Sequence, residues 1–207
     1  MIKIIRKNAL TLAIFAAITT GLIAVIHYIT ECVAKNQILF QQKKLLDQVI
    51  PTELYDNQIQ QECYLIKDKV ALGNNKFHHL YLARKGNTPV AAAIETVAPD
   101  GYAGPIQMLV GATFEGKILG VRVTEYHETP GFGDKVELRV SNWINSFNGQ
   151  VVHDANDKDF AIKKDGGRFD QFTGATITPR AVVNATKRTT LLIKTLPDKL
   201  SSLPKCG

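Results

Sequence analysis

What this chain can fold into is limited most by a stretch near its start. Residues 9–26 carry no charge, and the apolar run continues through Tyr28 and Ile29. That is about the 20 residues a helix needs to cross the hydrocarbon core of a bilayer. Thr11, Thr19, Thr20 and Gly21 fit in such a helix, because threonine hydroxyls return a hydrogen bond to the preceding turn. The run exceeds the roughly 7–15 apolar residues of a cleavable signal peptide, and no small-x-small cleavage site follows it. Glu31, directly before Cys32, argues against lipoprotein-type processing there. The expectation is a tail over 1–8 and an uncleaved single-pass transmembrane helix over 9–29. Lys3, Arg6 and Lys7 place the tail in the cytoplasm by the positive-inside rule, so the remainder lies in the periplasm if the membrane is a bacterial inner one.

Residues 30–53 read as an amphipathic linker helix, with Val33, Ile38, Leu45, Leu46 and Val49 among polar residues and Pro51 as its stop. A soluble domain is expected over 54–207. Apolar runs at 77–84 and 89–97 flank Lys85-Gly86-Asn87 and predict a hairpin. Alternation at Ile106, Met108 and Val110, a turn at 114–117, and alternation at Leu119, Val121 and Val123 predict a second. Helical spacing of Val140, Trp143, Ile144 and Phe147 predicts a short helix over 138–147, and 160–162 reads as a further strand. A last helix follows Pro179, with Val182, Ala185, Leu192, Ile193 and Leu196 on its apolar face. Strands followed by helices give an α+β class: antiparallel strands packed with helices, behind one membrane anchor.

Composition removes some functions. The net charge of +6 arises from 25 basic and 19 acidic residues that are interspersed. No basic run is interleaved with aromatics, so a nucleic-acid partner is not expected. Cys32, Cys63 and Cys206 are too far apart for a Cys-x-x-Cys pair or a zinc knuckle, so no metal centre is expected. An oxidising compartment favours a Cys63–Cys206 bridge, Cys32 being close to the membrane edge. Three cysteines nevertheless permit three pairings, or three free thiols.

Chemistry concentrates in two turns. In Asp170-Gln171-Phe172-Thr173-Gly174-Ala175-Thr176-Ile177-Thr178-Pro179, Thr178 is expected to cap the last helix and Pro179 to open it. A helix N-terminus receives anions, and Thr173, Thr176 and Thr178 add hydroxyls beside the small Gly174 and Ala175. An ordinary loop and cap fits these residues equally well. The second turn holds His127, Glu128, Thr129, Pro130 and Gly131. His-Glu without a second histidine four residues on lacks zincin spacing, and a plain Pro-Gly turn accounts for the segment. A glycine-rich turn beside an aromatic also lets a planar ring approach the backbone, with space at Gly131 reserved for ring or backbone. There is no Gly-x-Ser-x-Gly, so a serine hydrolase is not supported.

Five features occur in order: the anchor, Asp-Gly-Tyr-x-Gly at 100–104, His-Glu-Thr-Pro-Gly-x-Gly-Asp at 127–134, Lys-Asp-Gly-Gly at 164–167, and Asp-Gln-Phe-Thr-Gly-Ala-Thr-Ile-Thr at 170–178. Together they resemble the RnfG family, the G component of Rnf (Rsx) electron-transport complexes. More loosely, they are similar to NqrC, the C component of sodium-translocating NADH:quinone reductase. The resemblance implies a periplasmic FMN-binding domain in an inner-membrane complex coupling electron transfer of the NADH/ferredoxin type to ion translocation. It implies other Rnf subunits as partners and a flavin transferase that esterifies the FMN phosphate onto Thr176, with Asp170 needed for recognition by that transferase. It implies an electron carrier that turns over no diffusible substrate alone. The competing expectation is a membrane-tethered scaffold or assembly module without a redox cofactor.

Overall fold

The computed structural model describes residues 2–206, and the side chains at 32–36, Cys32 among them, and at 201 fall outside that description. The chain forms two compact units, one ending at Lys43 and the other beginning at Lys44.

Helix α1 (Ile2–Val49) runs without interruption, its one glycine being Gly21, and Pro51 lies just beyond its end. Its first 30 residues, Ile2–Glu31, have a mean hydropathy of 2.4 over their most apolar window and bury none of that window in protein, as a membrane-facing segment requires. The hydroxyls of Thr11, Thr19 and Thr30 donate to the carbonyls of Lys7, Phe15 and Ile26 at 2.8–2.9 Å. The stretch expected as an amphipathic linker helix, 30–53, is helical as far as Val49, as part of α1. The helix is continuous to Val49, and the soluble unit begins at Lys44, ahead of the expected start at Leu54. Leu46, Val49 and Ile50 are fully buried, so this last turn belongs to the domain core.

That core is a five-stranded antiparallel meander in sequential order: β1 (Cys63–Ile66), β2 (His78–Lys85), β3 (Thr88–Ala98), β4 (Ile106–Thr113) and β5 (Ile118–Glu125). Both expected hairpins are present, the first turning at Gly86 with φ +59°. Alternation sends Leu80, Leu82, Ala92 and Ile94 to one face, where Leu192, Ile193 and Leu196 cover them. Tyr81, Ala83, Ala91 and Ala93 face the other side, against Leu46, Val49 and Ile50. Gly111 and Gly120 are register partners on β4 and β5. A Cβ at Gly111 would stand 2.4 Å from Val49 Cγ1, and one at Gly120 would stand 2.9 Å from Val49 Cα. This glycine pair is what lets the end of α1 lie directly on the sheet.

Helix α2 (Lys69–Leu72) is capped by the Asp68 carboxylate, and α3 (Ile177–Lys194) covers β3 and β4, with a buried Thr189 hydroxyl donating to Thr96 Oγ1 at 2.9 Å. Residues 138–147 form a short 3-10 turn over Asn142–Phe147, capped by Ser141, in place of the expected helix. The stretch 160–162 is not a strand. It carries one isolated bridge, Ile162 to Phe169, and leads into a 3-10 turn at Lys163–Asp165. Cys63 and Cys206 are joined in a disulfide with Cα atoms 5.4 Å apart, and the tail pairs with β1 through Leu65 N–H to Pro204 O and Cys206 N–H to Cys63 O.

Candidate flavin site

Two chain segments are brought together where β5 ends and α3 begins. The stretch leading to α3 is fixed by an aromatic cluster: Phe169 stacks on Phe147 at 4.6 Å between centroids, and Phe172 meets Trp143 edge-on at 5.1 Å. Trp143 Nε1 donates to Asp170 O at 2.8 Å, so the backbone of the motif is held from both sides of Asp170. Beyond Phe172 the chain turns through Gly174, whose φ of +80° favours glycine; a Cβ there would lie 3.2 Å from the Phe132 ring.

The N-cap of α3 is Thr176, not Thr178. Thr176 Oγ1 makes no capping hydrogen bond. The helix therefore begins beside a hydroxyl left uncommitted, while the first backbone N–H groups of any helix have no intrahelical acceptor. Pro179 sits in the first turn, one of the few helical positions where the missing N–H costs nothing. Thr178 is completely buried inside that turn, where its hydroxyl donates to Glu128 Oε2 at 2.7 Å. Glu128, itself 5% exposed, also accepts from Ala103 N–H at 3.1 Å through Oε1. One carboxylate thus ties three segments: the loop around Tyr102, the turn after β5 and the start of α3. Gly133 makes room for it, since a Cβ there would be 2.6 Å from Glu128 Oε2 and 2.9 Å from Thr178 Oγ1.

These segments enclose a cavity of about 460 Å3, within the range of small-molecule sites. Of the residues singled out in the sequence, Glu128, Thr129, Gly174, Ala175, Thr176 and Thr178 line it. Others lie outside the lining. The His127 ring is 70% exposed and approaches Glu125 at 3.9 Å. Asp170 is 69% exposed and paired with Lys163 at 2.6 Å. Thr173, Pro130 and Gly131 are exposed and do not line the cavity. A Cβ at Gly131 would meet nothing within 4 Å, and its φ of +81° favours glycine. Tyr102, Phe132, Gly133 and Ile177 complete the lining; Phe132, Gly133 and Ile177 belong to the two turns expected to meet there, and Tyr102 was not expected. Tyr102 and Phe132, 68% and 52% exposed, were detectable as aromatics inside glycine-rich segments.

Arg180, in the first turn of α3, makes a two-pronged ion pair with Asp165 at 2.6 and 2.7 Å. The hydrogen bond from Arg180 holds the Asp165 carboxyl below its ordinary value and raises the guanidinium in return. This pins the Lys-Asp-Gly-Gly turn to the helix that carries Thr176.

The residues fit FMN. An apolar-walled cavity with two exposed aromatics suits a planar ring system, and the uncommitted hydroxyl at a helix N-terminus suits its phosphate. Among solved structures, NqrC of Shewanella oneidensis superposes with a TM-score of 0.48 at 18% identity, over 73% of this chain and 74% of that one. Residues 101–190 match the model of the FMN-binding domain family, and residues 1–49 match that of the RnfG N-terminal region. The chain is 66% identical to the G component of the ion-translocating oxidoreductase complex of Erwinia tasmaniensis over 207 residues, covering 100% of this chain and 98% of that one. With the protein of the same name from Escherichia coli K12 it shares 56% over 207 residues, all of both chains. On these family and sequence matches the chain belongs to the RnfG family, the G components of ion-translocating oxidoreductase complexes, and its domain is an FMN-binding one.

Proposed function

We propose that this protein is an electron-carrying subunit that bears FMN covalently through a phosphoester to Thr176 Oγ1, in a domain on the periplasmic face of a bacterial inner membrane. The observation that carries the reading is Thr176 itself. It is the helix cap, it lines the cavity, and its hydroxyl is not spent on capping. A helix N-terminus contributes only about 0.3–1 kcal/mol to holding an exposed anion, too little to retain a cofactor in a dilute compartment, and an ester removes that difficulty.

Bound FMN supplies the one- and two-electron chemistry of the protein. The chain's part is placement. The α3 N-terminus would receive the phosphodiester, Glu128 fixes the cavity walls relative to one another, and Phe132 with Tyr102 would offer flat apolar surface to the ring. Asp170, exposed beside the turn and outside the lining, is accessible to a flavin transferase and suits a recognition role. The basic tail at Lys3, Arg6 and Lys7 supports a cytoplasmic N-terminus, and membership of the family supports the other Rnf proteins of the complex as partners.

Flavin fluorescence of the protein band after denaturing electrophoresis tests the covalent link. The purified protein from its native host is expected to fluoresce after boiling in detergent. A band that goes dark, with free FMN released, would show a non-covalent cofactor.

A further inference from the structure

A second cluster of ligand-type side chains lies at the opposite edge of the sheet from the flavin turn. Cys63 is on β1, the edge strand, opposite Tyr81 on β2; His79 lies two residues from Tyr81 and so on the same face. The C-terminal tail brings in Cys206. One ligand atom from each of Cys63, His79 and Cys206 lies within 4.8 Å of the other two. Glu95 Oε2 sits 2.7 Å from His79 Nδ1, and a carboxylate only accepts, so Nδ1 carries the proton and Nε2 is left for a ligand.

We propose that reduction of the Cys63–Cys206 disulfide converts this cluster into a site for a borderline-soft divalent cation of the zinc class. Cys63, Cys206 and His79 are its ligands, water completes the tetrahedron, and Glu95 is the carboxylate that orients His79. In the first step the disulfide takes two electrons from a reductant and two protons and becomes two thiols. A dithiol supplies both and is itself oxidised to a disulfide, whereas a phosphine supplies the electrons and is oxidised to its oxide, with water supplying the oxygen and the two protons. In the second, the thiols lose both protons as the cation binds two thiolates.

Several observations support the geometry. Zn–S bonds of about 2.3 Å and Zn–N bonds of about 2.0–2.1 Å in a tetrahedron put ligand atoms roughly 3.4–3.8 Å apart, inside the spread of this cluster. The sulfurs need only move apart on a Cα spacing of 5.4 Å. The tail is also held beside β1 by backbone hydrogen bonds, Leu65 N–H to Pro204 O at 2.8 Å and Cys206 N–H to Cys63 O at 3.0 Å. The His79–Glu95 pair is the carboxylate–histidine arrangement that fixes a metal-binding imidazole. With its side chain 47% exposed, His79 also leaves the ion a path from solvent. The proposal is independent of the flavin reading, since it uses no residue of that site.

The test uses the full-length protein in detergent, in a Cys32→Ser background so that the third thiol takes no part. It is reduced with a water-soluble phosphine, freed of reductant without air, and titrated with zinc by calorimetry and with cobalt by absorbance. One ion per chain is expected in the reduced protein and none at that stoichiometry in the oxidised protein. Cobalt should give a thiolate charge-transfer band that Cys206→Ser diminishes. His79→Ala should weaken zinc binding by more than roughly tenfold and Glu95→Gln by about tenfold. The proposal is overturned if reduced protein takes up no stoichiometric zinc. It is equally overturned if oxidised protein binds as tightly, or if His79→Ala binds like its parent.

Discussion

Thr178→Val keeps the shape of a completely buried side chain and removes only the hydroxyl that Glu128 Oε2 accepts at 2.7 Å. A methyl then faces a carboxylate oxygen that has no room to turn away, because Gly133 already packs against it. Hydrogen bonds to charged groups are worth about 1.5–3 kcal/mol, and the oxygen left behind is buried, so the loss is expected across that range. For a domain of this size each kcal/mol moves the unfolding midpoint by about 2–4 °C, which gives a fall of roughly 3–12 °C. Trp143 is the chain's single tryptophan and lies in the soluble domain, edge-on to Phe172, so its fluorescence follows this domain without contribution from the membrane helix. Flavin loading should fall with it, since the same bond sets the cavity walls. A midpoint within about 1 °C of the parent and unchanged loading would refute the clamp, because even a weak buried bond exceeds that shift.

Thr176→Ala should abolish denaturation-resistant flavin while changing stability by less than about 0.5 kcal/mol, as measured by the same Trp143 unfolding curve. Phe132→Leu should shift the flavin absorbance maximum or midpoint potential, and identical values would remove Phe132 from the ring's surroundings. Gly120→Ala forces a Cβ to within 2.9 Å of Val49 Cα, and overpacking of this kind costs about 1–3 kcal/mol; unchanged stability would mean that the end of α1 is not seated on the sheet. The Asp165 carboxyl is held below its ordinary 3.8, so the ion pair's contribution is present above that value and lost as pH falls through the lower folded value. An NMR titration should show this lowered pKa in the parent and its return towards 3.8 in Arg180→Ala; equal values in the two proteins would mean the pair does not hold the turn.

The hairpins of β2–β5 and the helix α3 were legible because their apolar residues alternate or recur on one face against a single core. The helix start was misplaced because Thr178-Pro179 imitates an N-cap and first position. The structure instead uses Thr178 as a buried partner for Glu128, a residue fifty positions earlier that no local pattern could indicate. Residues 138–147 have helical spacing, yet Ser141 caps only a 3-10 turn, and Trp143 and Phe147 are drawn into the aromatic cluster with Phe169 and Phe172. Strand β1 was missed because four residues give no alternation to read, and its outer partner is the C-terminal tail. At the site, the threonine turn and Glu128 were legible from their motifs. Phe132 was legible as the aromatic of the second turn, whereas Tyr102 was not placed there because its loop joins the cavity only through the pairing of distant segments.

The most direct test of covalent flavin on Thr176 is mass-spectrometric mapping of protein isolated from its native host. Trypsin cuts after Arg168 and Arg180, releasing residues 169–180 with Thr173, Thr176 and Thr178 on one peptide. That peptide should carry the mass of one FMN less one water, and fragmentation should place it on Thr176. An unmodified peptide from a flavin-containing preparation, or a flavin on Thr173 or Thr178, would contradict the assignment.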